Sequence, residues 1–140
     1  MNLSRRQALA LGGAAITVSL IPVNLAVASE AGDAAIKAFT GGAATSEGGI
    51  DLTTPEIAEN GNTVPISVSA PGATSILVIA DGNPNVDVVT FHFGAMAEAS
   101  AATRIRLAGS QNVIAVAQMA DGSFKTASHA VKVTIGGCGG

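Results

Sequence analysis

Few side chains in this sequence could do chemistry, and the one that stands out lies at the C-terminal end. Cys138 is the only cysteine among 140 residues, and it sits in "VKVTIGGCGG" between two pairs of glycines. A thiolate is a nucleophile and a redox partner. This one lies three residues past Ile135, the last residue with a strand pattern, which gives the sulfur a reach of about 10 Å. Gly136, Gly137, Gly139 and Gly140 remove steric cover on both sides, so the tail reads as a flexible arm able to enter a crevice in another protein. The arm is too short to swing between distant sites on one body, so the whole domain would have to move from enzyme to enzyme. A thiol oxidoreductase usually has a resolving cysteine or a cation that lowers the thiol pKa. Neither is visible, and the nearest cation in sequence is Lys132. The thiol is therefore expected to titrate at or slightly above the ordinary cysteine value. An unpaired exposed thiol in an oxidising compartment also invites disulfide dimers, so its presence calls for a purpose.

The remaining candidates are weaker. His92 and His129 are the only histidines, too few for a zinc site with its several N or S ligands at fixed spacing. Both read as solvated strand positions. Glu56 and Glu59 could pair but lie near a turn, where carboxylates are usually just hydrated. Arg104 and Arg106 share one face of a strand and could hold an anion or a partner's acids; an exposed polar face is an equal reading. No phosphate-binding loop and no nucleophile on a strand-to-helix elbow is present. The sequence offers no catalytic constellation, no metal site and no cofactor motif. A prenylation signal is excluded because Cys138 is third, not fourth, from the end and is followed by glycine. A ubiquitin-like thiocarboxylate at the terminal Gly-Gly would need a helix across a β-sheet in a cytosolic protein.

The elements that must hold this arm begin after an export signal. Arg5-Arg6 precede an uncharged apolar run that ends at Ala26-Val27-Ala28, a small-x-small cleavage pattern. The run is long enough to compete as a membrane span, but Gly12, Gly13 and Pro22 interrupt it and no charged stop follows. Residues 1–28 are thus expected to be removed at about Ala28, placing the protein in the periplasm. The paired arginines suit the twin-arginine route, whereas Ala8 stands where that route prefers a bulky Phe, so Sec export stays open. Removal takes two arginines and no acid, leaving 112 residues with five basic against ten acidic side chains, net −5. An acidic domain without Trp, Tyr or a basic patch does not suit nucleic acid or an anionic membrane.

The mature part divides into a short helix with a linker (29–49), a β-sandwich (50–135) and the cysteine tail (136–140). "DAAIKAF" (33–39) predicts a helix capped near Gly32 or Asp33 and stopped by Gly41-Gly42. Residues 40–49 read as a flexible connector. "TVPISVSA" alternates Val64, Ile66 and Val68 inward, with Pro65 marking an edge or a strand start. "TSILVIA" (74–80) is apolar throughout, as in a strand buried on both sides. "VDVVTFHF" (86–93), "TRIRLA" (103–108), "NVIAVAQM" (112–119) and "FKTASHAVKVTI" (124–135) complete six or seven strands. Asp121-Gly122 predicts a hairpin with a type I′ turn. The fold class is all-β: an immunoglobulin-like antiparallel sandwich with a short N-terminal helix and a C-terminal GGCGG arm. "TSILVIA" and "VIAVA" (113–117) leave few polar positions for solvent, which predicts an apolar face covered by a second protein.

"PEIAENGNTVPISV" (55–68), "TRIRLA", "QNVIAVAQMADGS" (111–123) and above all the terminal "GGCGG" resemble the SoxY family, carriers of the bacterial sulfur-oxidising system. The resemblance implies that Cys138 covalently holds thiosulfate-derived groups while other proteins oxidise and hydrolyse them. It implies a heterodimer with a SoxZ-like β-sandwich, and cytochrome, sulfate thiol hydrolase and sulfane dehydrogenase partners. The chain would then be a carrier and not an enzyme. The alternative is an immunoglobulin-like adaptor tethered to a neighbour through a Cys138 disulfide. "SAPGAT" (69–74) and Val86 depart from the family pattern in the sandwich, not in the arm.

Overall fold

The computed structural model describes residues 29–136. One helix, α1 (Glu30–Thr40), precedes nine strands: β1 (Thr45–Glu47), β2 (Asp51–Thr53), β3 (Ile57–Ala58), β4 (Val64–Ser69), β5 (Ala73–Ala80), β6 (Asp87–His92), β7 (Ser100–Ile105), β8 (Gln111–Met119) and β9 (Phe124–Val133). Two sheets form. The larger runs β1-β9-β8-β5-β6, with β3 also on β9; the smaller runs β2-β4-β7.

The alternation of side chains along the strands builds the core. Val64, Ile66 and Val68 of β4 point inward, and on β5 and β8 the residues Ile76, Val78, Ala80, Val113, Ala115 and Ala117 meet them between the sheets. The opposite faces of those strands carry Leu77, Ile79, Ile114 and Val116, which the sandwich alone would leave in water. Helix α1 covers them with Ala35, Ile36 and Phe39. Together with the buried Gly32 these positions follow the i, i+3, i+4, i+7 spacing of one helix face. A Cβ on Gly32 would stand at ordinary contact distance, 3.5 Å, from Ile79 Cδ1, so the first turn lies directly against the sheet. Phe39 and Phe124 meet edge-on at 6.0 Å. "TSILVIA" is thus buried on both sides, as expected. The apolar surplus expected on "TSILVIA" and "VIAVA" does not face a partner, because α1 covers it within the chain.

Several expectations need correction. The helix starts at Glu30 rather than Asp33 because Ser29 caps it, Oγ accepting from Gly32 N–H at 3.1 Å; Gly41, at φ 66°, ends it as predicted. The stretch read as a connector contains β1, which pairs in parallel with β9. Strand β3 does the same further along, so the antiparallel sandwich carries two short parallel additions. Strand β7 begins at Ser100, three residues before the alternation of "TRIRLA" is visible, and stops at Ile105. The β8–β9 hairpin is not type I′. Only Gly122 has positive φ (87°), and its N–H donates to Met119 O, the arrangement of a type I turn followed by a bulge. Pro65 lies at the start of β4, in the part that pairs only with β7; β2 covers Ser67–Ser69 alone. The export signal (1–28) and the tail from Gly137 onward, including Cys138, Gly139 and Gly140, lie outside the described residues.

Candidate functional site

The described chain reaches the foot of the cysteine arm, and there the backbone is held from several directions. Strand β9 is gripped by the segment ahead of β4: Lys132 N–H donates to Glu56 O (2.9 Å), Thr134 N–H to Ala58 O (3.0 Å), and Gly61 N–H to Ile135 O (2.7 Å). Thr134 Oγ1 adds a bond to Glu59 O at 3.0 Å. On the other flank Val133 N–H donates to Ser110 Oγ at 2.9 Å. Gly61 also accepts from Leu107 N–H at 2.8 Å, so one buried glycine joins the β7–β8 loop to the end of β9.

That loop is fixed by Asn83, a buried side chain in the turn after β5. Its Nδ2 donates to Arg106 O (2.8 Å), and its Oδ1 accepts from Ala108 N–H (2.9 Å) and from Gln111 Nε2 (2.8 Å). Gln111 also donates to Gly109 O (3.0 Å) and accepts from Gly82 N–H (2.8 Å). Asp81 Oδ1 accepts from Asn112 N–H at 3.0 Å beside them. An amide suits this place because it donates and accepts at once, leaving no buried polar atom unpaired. The carbonyl of Ala108, whose N–H bonds Asn83, faces Gly136. A Cβ on Gly136 would run into Ala108 O. Gly136 does not have positive φ, so it is glycine for want of space rather than for backbone freedom. Gly136, expected to belong to the arm, is exposed and lies against the Ala108 carbonyl, and the rest of the arm lies outside the described residues.

The weaker candidates do not gather around the arm. His92 is exposed near the end of β6, and His129, also exposed, lies 3.3 Å from Thr54 Oγ1 through Nδ1. Glu56 and Glu59 are exposed and contribute their carbonyls to β9 rather than a carboxylate pair. Arg104 and Arg106 are exposed as read; Arg104 Nη1 approaches Thr63 Oγ1 at 3.4 Å. Among the described residues no cluster of three or more His, Cys, Asp or Glu could hold a metal ion, and no helix is long and apolar enough to cross a membrane. Among the described residues the clear pKa shift is at Asp121, lowered because Ser123 Oγ and N–H both donate to its carboxylate (2.6 and 2.9 Å). It belongs to the β8–β9 turn and not to the arm. Sequence reasoning missed Asn83, Gln111, Ser110 and Gly61; the only local signal was an asparagine ahead of a proline in a turn.

The family model of sulfur oxidation protein SoxY matches residues 36–138. Among solved structures, the sulfur carrier protein SoxY from Chlorobium limicola f. thiosulfatophilum is 36% identical, over 74% of this chain and 96% of that one, with a TM-score of 0.66. A superoxide reductase (neelaredoxin) from Ignicoccus hospitalis is 18% identical, over 60% of this chain and 78% of that one, with a TM-score of 0.54. A putative superoxide reductase from Thermotoga maritima is 20% identical, over 68% and 89%, with a TM-score of 0.53. At those identities the likeness to the reductases is one of fold alone. No curated protein matches the chain.

Proposed function

Because this chain belongs to the SoxY family of sulfur oxidation proteins, we propose that it is a periplasmic carrier which binds sulfur intermediates covalently at Cys138 and presents them to separate enzymes. The observation that carries this reading is the extent of the family match, which runs to Cys138 itself. The sandwich supplies a stable body whose last strand ends beside the arm, and the tail supplies the only thiol. In the loading step the thiol and thiosulfate join through a new S–S bond, giving Cys–S–S–SO3⁻. One proton and two electrons leave, the electrons passing to a cytochrome partner. Hydrolysis by a second partner adds water across the terminal S–S bond, releasing sulfate and two protons and leaving Cys–S–S⁻. A sulfane dehydrogenase partner oxidises that outer sulfur with oxygen from three waters, giving Cys–S–SO3⁻ and releasing six protons and six electrons to the partner's acceptor. The carrier turns over no substrate by itself, so these reactions belong to its partners.

A SoxZ-like β-sandwich is the proposed stable partner. The strands first expected to face it are covered by α1, so its surface lies elsewhere. The edge strand β6 carries the half-buried Val88, Val89 and Phe91, and the Phe91 and Phe93 rings stack at 6.5 Å.

The deciding experiment is intact mass of the protein isolated from thiosulfate-grown cells without reductant. Additions in sulfur or thiosulfonate units that disappear on reduction support the carrier. A disulfide-linked complex as the sole oxidised form would replace it with the adaptor reading.

A further inference from the structure

An open strand edge is a template for another chain, and folded proteins usually cover or blunt it. Strand β9 has such an opening in the middle of its length. On one side it pairs with β8 from Phe124 to Val131. On the other, β1 pairs as far as Thr126 and β3 begins at Lys132, both parallel to β9. Between those two strands the chain crosses to the smaller sheet as β2 and returns. We propose that this gap is a docking slot for an extended segment of a partner protein, an aliphatic residue flanked on each side by lysine or arginine, which adds to β9 as a short strand. The slot is a property of the sandwich and stands whether or not Cys138 carries sulfur.

The backbone of β9 offers the groups that an added strand needs. Lys132 N–H donates to Glu56 O and Thr134 N–H to Ala58 O, whereas Val133 N–H turns the other way, to Ser110 Oγ. Hydrogen-bonding direction alternates along a strand, so Ser128 and Ala130 also turn their N–H and C=O groups into the gap. Among the described residues none pairs with them there. Ser128, His129 and Ala130 are exposed, as an open edge requires. From Thr126 to Lys132 the edge runs about 20 Å at ~3.3 Å per residue, room for three residues to pair while their flanks bend outward. A cleft of about 440 Å³ opens beside it, lined by Ile36 of α1 and Ile114 of β8. Ser128 lies opposite Ile114 in the ladder, so a residue paired with Ser128 from the gap side shares the face that carries α1. An aliphatic side chain there covers Ile36 and Ile114. The ends of the slot are acidic: Glu47 lines the cleft on the β1 side and Glu56 lies on the β3 side. Both are exposed, and neither has an ion-pair partner among the described residues. Cationic flanks complement both carboxylates, and acidic flanks are repelled.

The probe is a synthetic peptide, acetyl-Lys-Thr-Val-Thr-Lys-amide, titrated into the isotope-labelled full chain and followed by amide NMR. Saturable shifts centred on Ser128 and Ala130, with slower hydrogen exchange of those two amides, are the expected result. The same peptide methylated on both threonine nitrogens loses its donors to the edge and should not bind. Ser128→Pro removes an N–H that β8 does not use, so the variant should fold and lose the peptide. Glu47→Gln combined with Glu56→Gln should weaken binding roughly threefold to tenfold at low salt. Cys138→Ser should bind as wild type does, which separates this result from the fate of the carrier reading. No saturable shift, shifts centred away from Ser128 and Ala130, or equal binding of the methylated peptide overturns the proposal. If Ser128→Pro fails to fold, the methylated peptide and the double glutamine variant decide the matter.

Discussion

Replacing Asn83 with alanine should be among the more damaging single changes in this domain, although the residue is a polar turn position. The amide makes three hydrogen bonds of 2.8–2.9 Å, to Arg106 O, Ala108 N–H and Gln111 Nε2. Each is worth about 1 kcal/mol net, but an orphaned, partly buried backbone group costs about 1–3 kcal/mol. Gln111 retains Gly109 O and Gly82 N–H, so the two groups left unpaired are the Ala108 N–H and the Arg106 carbonyl. The expected loss is roughly 3–5 kcal/mol, a large share of the 5–15 kcal/mol typical of a domain. At about 4–8 °C per kcal/mol in a domain of this size, the melting temperature should fall by 12 °C or more, roughly. Urea unfolding followed by far-UV circular dichroism measures it, with an unchanged slope showing that stability and not compactness has moved. A double-mutant cycle with Gln111→Ala should give a coupling of about 1 kcal/mol, because the two amides share a bond. A loss below about 1 kcal/mol, or additivity within about 0.5 kcal/mol, would show that the network is a surface arrangement hydrated equally well without Asn83.

Further outcomes are expected. Cys138→Ser should leave the unfolding curve untouched and abolish thiosulfate-dependent cytochrome reduction in a reconstituted system; near-wild-type reduction would remove the cysteine from the chemistry. Phe39→Ala should cost about 2 kcal/mol by stripping apolar cover from Ile79 and Phe124, and limited proteolysis should then cut between α1 and β1. Asp121 has a lowered carboxyl pKa, so its contribution to stability is present above the unfolded value and is lost as pH falls through the folded one. Asp121→Asn should accordingly lower the melting temperature at neutral pH and match wild type at pH 2, and a constant difference across that range would deny the Ser123 bonds their role. Alkylation of Cys138 against pH should show the midpoint of an ordinary thiol; a midpoint in the neutral range would reveal an activating cation at the arm.

The strands that build the core were legible because their alternation is strong. Val64, Ile66 and Val68 mark β4, and an unbroken apolar run marks β5 as covered on both faces. What covered the second face was not legible, since the helix pattern was visible only over residues 33–39 and its packing on Leu77, Ile79, Ile114 and Val116 is a long-range event. Strands β1 and β3 escaped because three and two residues carry no period, and their pairing with β9 is a long-range event. The start of β7, "SAA", lacks the β-branched residues that announce a strand. Cys138 stands out in the sequence by its residue type and lies outside the described residues. The foot of the arm was not legible, because the atom that constrains Gly136 is the backbone carbonyl of Ala108, placed there by Asn83 from an earlier turn.

Strand β9 is the last of the described strands in the chain, yet it is the sole hydrogen-bonded neighbour of β1 and β3 and covers one of the two edges of β8. A nascent chain that stops short of Phe124 leaves β1 and β3 unpaired and one edge of β8 open. The parallel pairs β1–β9 and β3–β9 join residues distant in sequence, the kind of contact that forms slowly. The larger sheet is therefore complete only once the chain has been made through Val133, so its closure and the placing of the chain that leads to the arm's foot are the same event.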